Sequence, residues 1–333
     1  MMTVTSNAQR GAALLTVLMI IAAMSVAALA ITQAVTNATQ RARALDAQAQ
    51  LGFYAVSAEE VARARLTSLL APLESRLSVD MPGFNEPQTI PVDGGVFTVS
   101  IRDASNCFDV NRLSQEAENG ALIADPDQQA AYQSILQALM EDGYATDAVA
   151  LVSSLSDWMD ENTVPGNGGA EDSYYLSEVP SYRTSQQPLA TLDELRAIRG
   201  YTPEVLATIR PLLCALPAMA DSGPLTMNIN TLTEDQAALL RLAFSDALTV
   251  QQARDLIATR PQGGWQSLDV LMEDPIVTRI DPEAIDRDRL GLVTSLVEVS
   301  ANLSYRGHDM TMRFLFEAMP GRPIRTLRRE RIG

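Results

Sequence analysis

The sequence predicts an α+β protein with one very long amino-terminal helix. Two observations carry this prediction. A stretch of about 60 residues near the amino terminus contains almost no helix-breaking residue, and segments that alternate between apolar and polar residues occur both early and late in the chain. We expect both sets of strands to join one small antiparallel sheet that packs against the long helix, with the helical block between them forming an inserted all-α domain.

The amino-terminal helix is expected to run from Ala12 to Ala71. Its first part, Ala12–Ile31, is 20 residues without a charge, which is long enough to cross the hydrocarbon core of a bilayer. The segment Thr32–Leu70 contains no proline and one glycine, so the helix should continue far beyond the membrane part, which we place at 12–34. The apolar residues expected to seat a globular head on this helix are Leu45, Leu51, Tyr54, Val61, Leu66, Leu69 and Leu70.

Three interpretations of the first residues compete. A secretory signal peptide would need a small-residue cleavage site, which Ala28 and Ala30 could supply. A plain membrane anchor needs nothing more, and a short leader of residues 1–11, cut at Gly11 just before the apolar run, is the third. A signal peptide would not form the start of so long a helix, which favours the other two.

The first strands belong to a segment that we place at 35–113 together with the rest of the helix. Residues Val96–Arg102 alternate between apolar and polar, as in a half-buried antiparallel strand. The preceding Asp93–Gly95 is typical of a hairpin turn. Asn106–Leu113 is either a partner strand or the exit from the sheet.

The block 114–290 should be helical, because it contains many helix-start signals. Thr191, Thr233 and Thr249 each begin a capping-box pattern. Thr202 precedes a proline in the first helical position, and so does Asp281.

The chain returns to strands at 291–320. Leu296–Tyr305 places its valines, Ala301, Leu303 and Tyr305 on one face, and Met310–Glu317 alternates in the same way after a turn. We expect a hairpin here. The basic tail, 321–333, is expected to be loose.

The composition excludes several kinds of chemistry. All 25 basic residues are arginine, 41 residues are acidic, and the net charge is −16. Without lysine there is neither a P-loop lysine nor a Schiff-base enzyme. A single histidine, His308, and two cysteines exclude the common zinc and iron–sulfur sites, and an acidic chain lacks the broad basic face that binds nucleic acid.

The chain resembles the minor pseudopilin K family of type II secretion systems. Thr16 stands where most pilins carry a glutamate, a departure that is itself a feature of this family. The resemblance covers most of the chain, and the segments that carry it are Gln9–Leu15, Ile101–Asp103, Phe108–Asn111, Asp157–Asp160, Gly169–Tyr175, Leu195–Gly200 and Asn228–Thr231.

The resemblance implies a structural protein, not an enzyme. It implies a pseudopilin fold, cleavage by the prepilin peptidase between Gly11 and Ala12, and methylation of the new amino terminus. The helix would lie in the inner membrane with the globular part in the periplasm. Minor pseudopilins I and J would be the nearest partners among the pseudopilins, with no nucleic acid and no small-molecule substrate. The alternatives are a minor pilin of a type IV pilus and a membrane-tethered nucleic-acid receptor.

The densest acidic segment, Asp157–Asp172, combines carboxylates with three glycines that permit tight bends. Calcium prefers six to eight hard oxygen ligands, although the spacing here is not that of an EF-hand. A solvated acidic loop is the alternative, but the resemblance implies calcium in this domain. The candidate ligands are Asp157, Asp160, Asn162, Glu171 and Asp172.

The state of the two cysteines remains open at this point. Cys107 and Cys214 could form a disulfide in an oxidising periplasm, or they could be two free thiols. Met227–Thr231 and the helices after it resemble the start of a helix-hairpin-helix module. Its expected hairpin, Phe244–Leu248, contains no glycine and adds an acid, so we expect a structural role for it. His308 is expected in an exposed turn.

Overall fold

The computed structural model describes residues 8–70, 76–84, 86–141, 147–217, 226–319 and 321–332. Its first element is helix α1 (Ala8–Leu70), which has 63 residues and is about 95 Å long. The predicted long helix is therefore confirmed, and Ala71 lies outside the described residues.

The carboxyl-terminal half of α1 packs on the globular part through a row of alanines and leucines. The predicted stripe is right at Leu51, Leu66 and Leu70 but wrong at Leu45 and Val61, which are 67% and 62% exposed. The buried positions repeat every three or four residues along one face of the helix, and Leu45 and Val61 lie off that face. The buried apolar positions of this half are Ala47, Leu51, Ala55, Ala62, Leu66 and Leu70.

The remaining elements follow α1 in a mixed order. The strands are β1 (Gln88–Val92), β2 (Gly95–Asp103), β3 (Phe108–Asp109), β4 (Ser114–Glu116), β5 (Leu122–Ala124), β6 (Leu213–Cys214), β7 (Met227–Asn228), β8 (Leu290–Gly291), β9 (Leu296–Tyr305), β10 (His308–Glu317) and β11 (Arg325–Ile332). The helices after α1 are α2 (Pro126–Glu141), α3 (Ala148–Met159), α4 (Asp172–Tyr175), α5 (Pro203–Ile209), α6 (Ala237–Leu240), α7 (Val250–Ala258) and α8 (Leu268–Met272).

One five-stranded antiparallel sheet joins the two ends of the chain, in the order β1-β2-β9-β10-β11. Val297, Val299, Ala301 and Leu303 of β9 are buried in the core that this sheet forms with α1. The predicted return of the late hairpin to the early strands is therefore confirmed. We call α1 beyond the membrane part, together with this sheet, the sheet domain.

The basic tail is not loose, so that prediction is wrong. Residues of β11 pair with β10, and Arg329 forms an ion pair with Glu59 of α1. Glu59 is 3% exposed and also accepts hydrogen bonds from Arg63 at 2.8 Å and Thr326 at 2.7 Å. A buried carboxylate in the helix thus holds the last strand. The sequence signal for it is the position of Glu59 in the buried helical row, four residues after Ala55.

The segment between β2 and β9, residues 104–295, forms an inserted domain with its own apolar core. It is not all-α as expected. The antiparallel pair β4–β5 and the parallel pairs β3–β6 and β7–β8 lie within it. Gly120, with φ at +82°, lies in the short connection between β4 and β5, where a left-handed backbone favours glycine. The segment at Asn106 is the exit from the main sheet, because β3 pairs with β6.

Local helix signals in the inserted domain are accurate. The capping boxes at Thr191, Thr233 and Thr249 are all present, each with its backbone and side-chain bonds. Thr202 accepts a hydrogen bond from the Val205 backbone N–H, and Asp281 accepts one from Glu283. These caps work over three residues, so they do not depend on the tertiary structure.

A buried polar network connects the two domains. Asp103 at the end of β2 accepts hydrogen bonds from the hydroxyls of Thr231 at 2.6 Å and Thr294 at 2.5 Å. Asn228 donates to the Thr294 hydroxyl at 2.8 Å and to the Leu77 carbonyl at 3.2 Å. Burial raises the pKa of the Asp103 carboxyl. The Asn228–Thr231 segment therefore ties the inserted domain to the sheet.

A disulfide lies beside this network. It joins Cys107 to Cys214, whose Cα atoms are 5.6 Å apart, and connects β3 to β6. The bridge therefore links the first residues of the inserted domain to a strand 107 positions later.

Candidate functional site

The acidic segment lies where α3 ends and α4 begins. Asp157 is on the last turn of α3, Asp160 is its carboxyl-terminal cap residue, and Glu171 is the cap residue before α4. These three side chains belong to the acidic segment predicted from the sequence, but they are buried and not solvated. Asp157, Asp160 and Glu171 are only 4%, 2% and 4% exposed.

Glycines allow the loop to close over Asp157. Both carboxylate oxygens of Asp157 accept from the Gly166 backbone N–H at 3.1 Å. A Cβ added at Gly169 would lie 2.0 Å from Asp157 Oδ2, so the close approach requires glycine. Arg199 donates to the Gly169 carbonyl at 2.9 Å and fixes this part of the loop.

The three buried carboxyls carry negative charge that the loop does not balance. Burial, and then the charge of Asp160, raises the pKa of Asp157 to about 6. Burial, followed by the charges of Asp157, Asp160 and Asp172, raises the pKa of Glu171 to about 7. Burial also raises the pKa of Asp160. Glu171 Oε1 is buried without a hydrogen-bond partner, which marks a site where a positive group would be stabilising.

The other two candidate ligands, Asp172 and Asn162, already form hydrogen bonds with other groups of the protein. Asp172 accepts from Arg183 at 2.9 Å and from the Thr184 backbone N–H at 3.0 Å, and these bonds, with the backbone one contributing most, lower its pKa. Asn162 Oδ1 accepts from the Val164 backbone N–H at 2.7 Å, and its amide donates to Asp160 Oδ2 at 2.8 Å. The structure therefore brings together Asp157, Asp160 and Glu171, and gives Asp172 and Asn162 other partners.

The side chains are not arranged as a finished metal site. Among the described residues, no group of three or more His, Cys, Asp or Glu side chains has metal-coordinating geometry. The charge of Asp160 nevertheless contributes, after burial, to the raised pKa of Asp157, and the charges of Asp157 and Asp160 contribute to the raised pKa of Glu171, so these carboxylates lie close enough to interact. Hard oxygen donors and an orphaned carboxylate oxygen fit calcium better than a transition metal.

The amino-terminal candidates lie on the backbone of α1. Gly11 and Ala12 are helical residues near its start, and residues 1–7 of the expected leader lie outside the described residues. Within the part of the chain that the structure describes, Leu14–Leu70 is the helix long and apolar enough to cross a membrane. Its most apolar window has a mean hydropathy of 2.7 and none of it is buried.

The expected helix-hairpin-helix segment contains α6, a turn of 3₁₀-helix at Arg241–Phe244, and α7. Ser245 and Asp246, which connect them, have φ of +45° and +60°. The Asp246 carboxylate accepts from the Ser134 hydroxyl at 2.6 Å. The turn is thus held by contacts within the protein. His308 begins β10 opposite Tyr305 and does not lie in the turn before it.

An apolar helix that continues from a membrane-spanning length over an antiparallel sheet is the architecture of a membrane-anchored pilin-like protein. The family comparisons specify it further. The family models described as type II secretion system (T2SS), protein K, match residues 106–218 and 227–292, which is most of the inserted domain. The chain belongs to the type II secretion system protein K family.

Curated relatives of this name match over most of the chain. The protein from Pectobacterium carotovorum is 35% identical and that from Klebsiella pneumoniae 33% identical, covering 80% and 84% of this chain and 79% and 83% of theirs. A solved structure, the GspK–GspI–GspJ complex from enterotoxigenic Escherichia coli, contains a chain that matches with a TM-score of 0.71 and 26% identity. The match covers 88% of this chain and 99% of that one.

Proposed function

We propose that this chain is a minor pseudopilin that lies at the tip of the periplasmic pseudopilus and helps to export folded proteins through the outer-membrane secretin. The observation that supports this best is its fit, over 88% of its length, to a chain of the GspK–GspI–GspJ complex. Its role on this proposal is packing and docking, and no residue is assigned a catalytic function. Minor pseudopilins I and J are the proposed partners.

The proposed contact with these partners is the outward face of α1 beyond the membrane. Phe53 and Val56 are 70% and 68% exposed there, although they lie next to the buried row that packs on the sheet. Large exposed apolar side chains on a helix are typical of a packing surface. A second helix could cover them without disturbing the sheet domain.

Co-expression of the full chain with pseudopilins I and J tests this contact. The three proteins should co-purify in detergent, and Phe53→Glu should remove the partners. Val270→Glu is the matched control, because Val270 is 45% exposed but lies in the inserted domain. If Phe53→Glu leaves the complex intact, α1 is not the contact. If the wild-type chain does not co-purify with I and J at all, the proposed function is wrong.

We also propose that the prepilin peptidase cuts between Gly11 and Ala12 and that the new amino terminus is methylated. The apolar segment at 12–34 would then cross the inner membrane, with the globular part in the periplasm. Co-expression with the peptidase should remove 11 residues, and Gly11→Val should block cleavage. Gly52→Val is the matched control on the same helix, since no atom lies within 4 Å of a Cβ at Gly52. A chain that remains uncut would be a simple anchor.

Calcium is the proposed ion for the acidic loop. Asp157, Asp160 and Glu171 would hold it most directly, with Asp172 and Asn162 contributing after their present partners move. Calcium would supply positive charge where three buried carboxyls have raised pKa values, and would thereby fix a glycine-rich loop. A chelator should lower the melting temperature of the full chain, and an unchanged melting temperature would leave an acidic loop without an ion.

The helices around Asp246 are proposed to form a structural helix-hairpin-helix module. The hydrogen bond from Ser134 holds the Asp246 carboxylate on the hairpin, where a nucleic-acid-binding version would present backbone N–H groups to phosphate. Duplex DNA should therefore show no salt-sensitive binding in fluorescence anisotropy. Affinity at physiological salt would instead favour the nucleic-acid receptor.

A further inference from the structure

A cleft of about 650 Å³ lies between the sheet domain and the inserted domain. One wall is a single face of α5 and the residue after it, because Pro203, Leu206, Ala207 and Arg210 follow one another at helical spacing. Arg102 of β2 also lines the cleft. We call this feature the basic cleft, and its lining residues are Arg102, Arg196, Tyr201, Pro203, Leu206, Ala207, Arg210 and Pro211.

The charged residues of the basic cleft are all arginines. Arg102 donates to Glu298 at 2.7 Å, and Arg210 donates to Asp193 at 2.8 Å. Arg196 is exposed and helps to lower the pKa of Asp193, after the larger contributions of Arg210, but no hydrogen bond or ion pair joins it to a described residue.

The carboxylates nearby pair with two of these arginines but leave some of their N–H donors free. Glu298 is 6% exposed and is shared, because Arg313 also lies 3.4 Å from it. A guanidinium has five N–H donors, so Arg102 and Arg210 keep free donors after one bond each. The lining thus presents three guanidinium groups and no carboxylate, in a chain whose net charge is −16.

Apart from Tyr201, the rest of the lining is apolar. Leu206 is buried at the base, while Pro203, Ala207 and Pro211 are exposed along the rim. The cleft thus offers guanidinium donors and an aliphatic surface within one space. Its volume is within the range of about 300–1,000 Å³ that is typical of ligand sites.

We propose that the basic cleft binds an extended segment of a partner protein in which carboxylate side chains alternate with apolar ones. In an extended chain, successive side chains point to opposite sides. One set would meet the guanidinium groups of Arg196, Arg210 and Arg102 through charge-assisted hydrogen bonds, and the other would cover the apolar face of α5. This contact is separate from the outward face of α1.

A peptide-binding experiment on the full chain in lipid nanodiscs tests the proposal. The probe is a fluorescein-labelled octapeptide of alternating leucine and glutamate, and its partner is the same peptide with glutamine in place of glutamate. Fluorescence anisotropy should saturate with the glutamate peptide and be about tenfold weaker with the glutamine peptide, as expected for the loss of charge-assisted bonds. Empty nanodiscs give the background.

Variants of the cleft residues show where the peptide binds. Arg196→Gln should weaken the glutamate peptide about threefold, as part of the tenfold loss expected when every carboxylate is replaced, and leave the glutamine peptide unchanged. Ala207→Trp should block both peptides by filling the cleft. Arg279→Gln is the control, since Arg279 is an exposed arginine away from the cleft residues. Equal binding of the two peptides, no binding, or no effect of Arg196→Gln would overturn the proposal. Because no pseudopilin partner is present, these outcomes do not depend on the proposed assembly.

Discussion

Replacing Glu171 by glutamine should have opposite effects on stability without and with calcium. The pKa of Glu171 is about 7 in the folded chain, against an ordinary value of 4.5. The folded state therefore binds the proton more tightly than the unfolded state, so the contribution of Glu171 to the free energy of unfolding is largest below pH 4.5 and is lost as the pH rises through 7. At pH 8 the ionised, buried carboxylate opposes folding.

The size of this stability difference follows from the shift in the pKa of Glu171. The rise from 4.5 to about 7 corresponds to at most about 3 kcal/mol, and solvent screening at the loop reduces it to about 1–2 kcal/mol. In chelator at pH 8, Glu171→Gln should therefore be more stable than the wild type by about 1–2 kcal/mol. Below pH 4.5 the difference should disappear, because the wild-type carboxyl is protonated in both states.

With calcium bound, the wild type should instead be more stable than Glu171→Gln. An ion at one hundred times its dissociation constant stabilises the wild type by about 2.7 kcal/mol, and the glutamine variant loses one charged ligand for it. Thermal melting of the full chain in detergent, followed by tryptophan fluorescence, reports on this directly, since Trp158 is next to Asp157. Each kcal/mol should shift the midpoint by about 2–4 °C for a domain of this size.

Glu178→Gln is the matched control, because Glu178 is an exposed carboxylate close in sequence. It should melt as the wild type does in both conditions. A Glu171→Gln variant that is less stable than the wild type in chelator at pH 8 would contradict the claim that the ionised Glu171 carboxylate opposes folding. The calcium proposal fails if the variant keeps the full calcium shift.

Other substitutions test the connections between elements by thermal melting of the full chain. Cys107→Ser opens a loop of 107 residues and should cost about 4–5 kcal/mol on the chain-entropy model; an unchanged midpoint would show that the bridge does not form. Gly169→Ala should cost about 1–3 kcal/mol by overpacking, whereas Gly52→Ala, in open space on a helix, should be neutral or slightly stabilising; equal effects would contradict the close approach. Arg329→Ala should lower the melting midpoint and speed amide exchange in the last strand, because Glu59 loses a partner; unchanged exchange would contradict that anchoring role.

Local sequence signals predicted much of the fold. The capping boxes, the alternation in β9 and β10 and the absence of helix breakers in α1 each depend on neighbouring residues. The same holds for the Asp93–Gly94 turn between β1 and β2. These signals act over a few residues, so they are already present in the linear chain.

The predictions were wrong where contacts between residues far apart in the sequence determine the structure. The tail was expected to be loose because it is basic, but Arg329 pairs with Glu59 of α1 and Arg325 with Glu317 of β10, while Glu330 of the tail pairs with Arg313 of β10. The helix stripe was wrong at Leu45 because the buried positions repeat every three or four residues from Ala47 onward, which leaves Leu45 on the exposed side of the helix.

At the candidate site, too, some features follow from the sequence and others only from the tertiary structure. The sequence by itself determined that acidic residues and glycines are concentrated between Asp157 and Asp172, and that an apolar helix precedes the globular part. The tertiary structure alone decided which carboxylates are buried together, because burial depends on α3, α4 and Arg199 packing around the loop. It also decided that α5 and β2 enclose a basic cleft, since Arg102 and Arg210 are far apart in the chain and meet only through the packing of two domains.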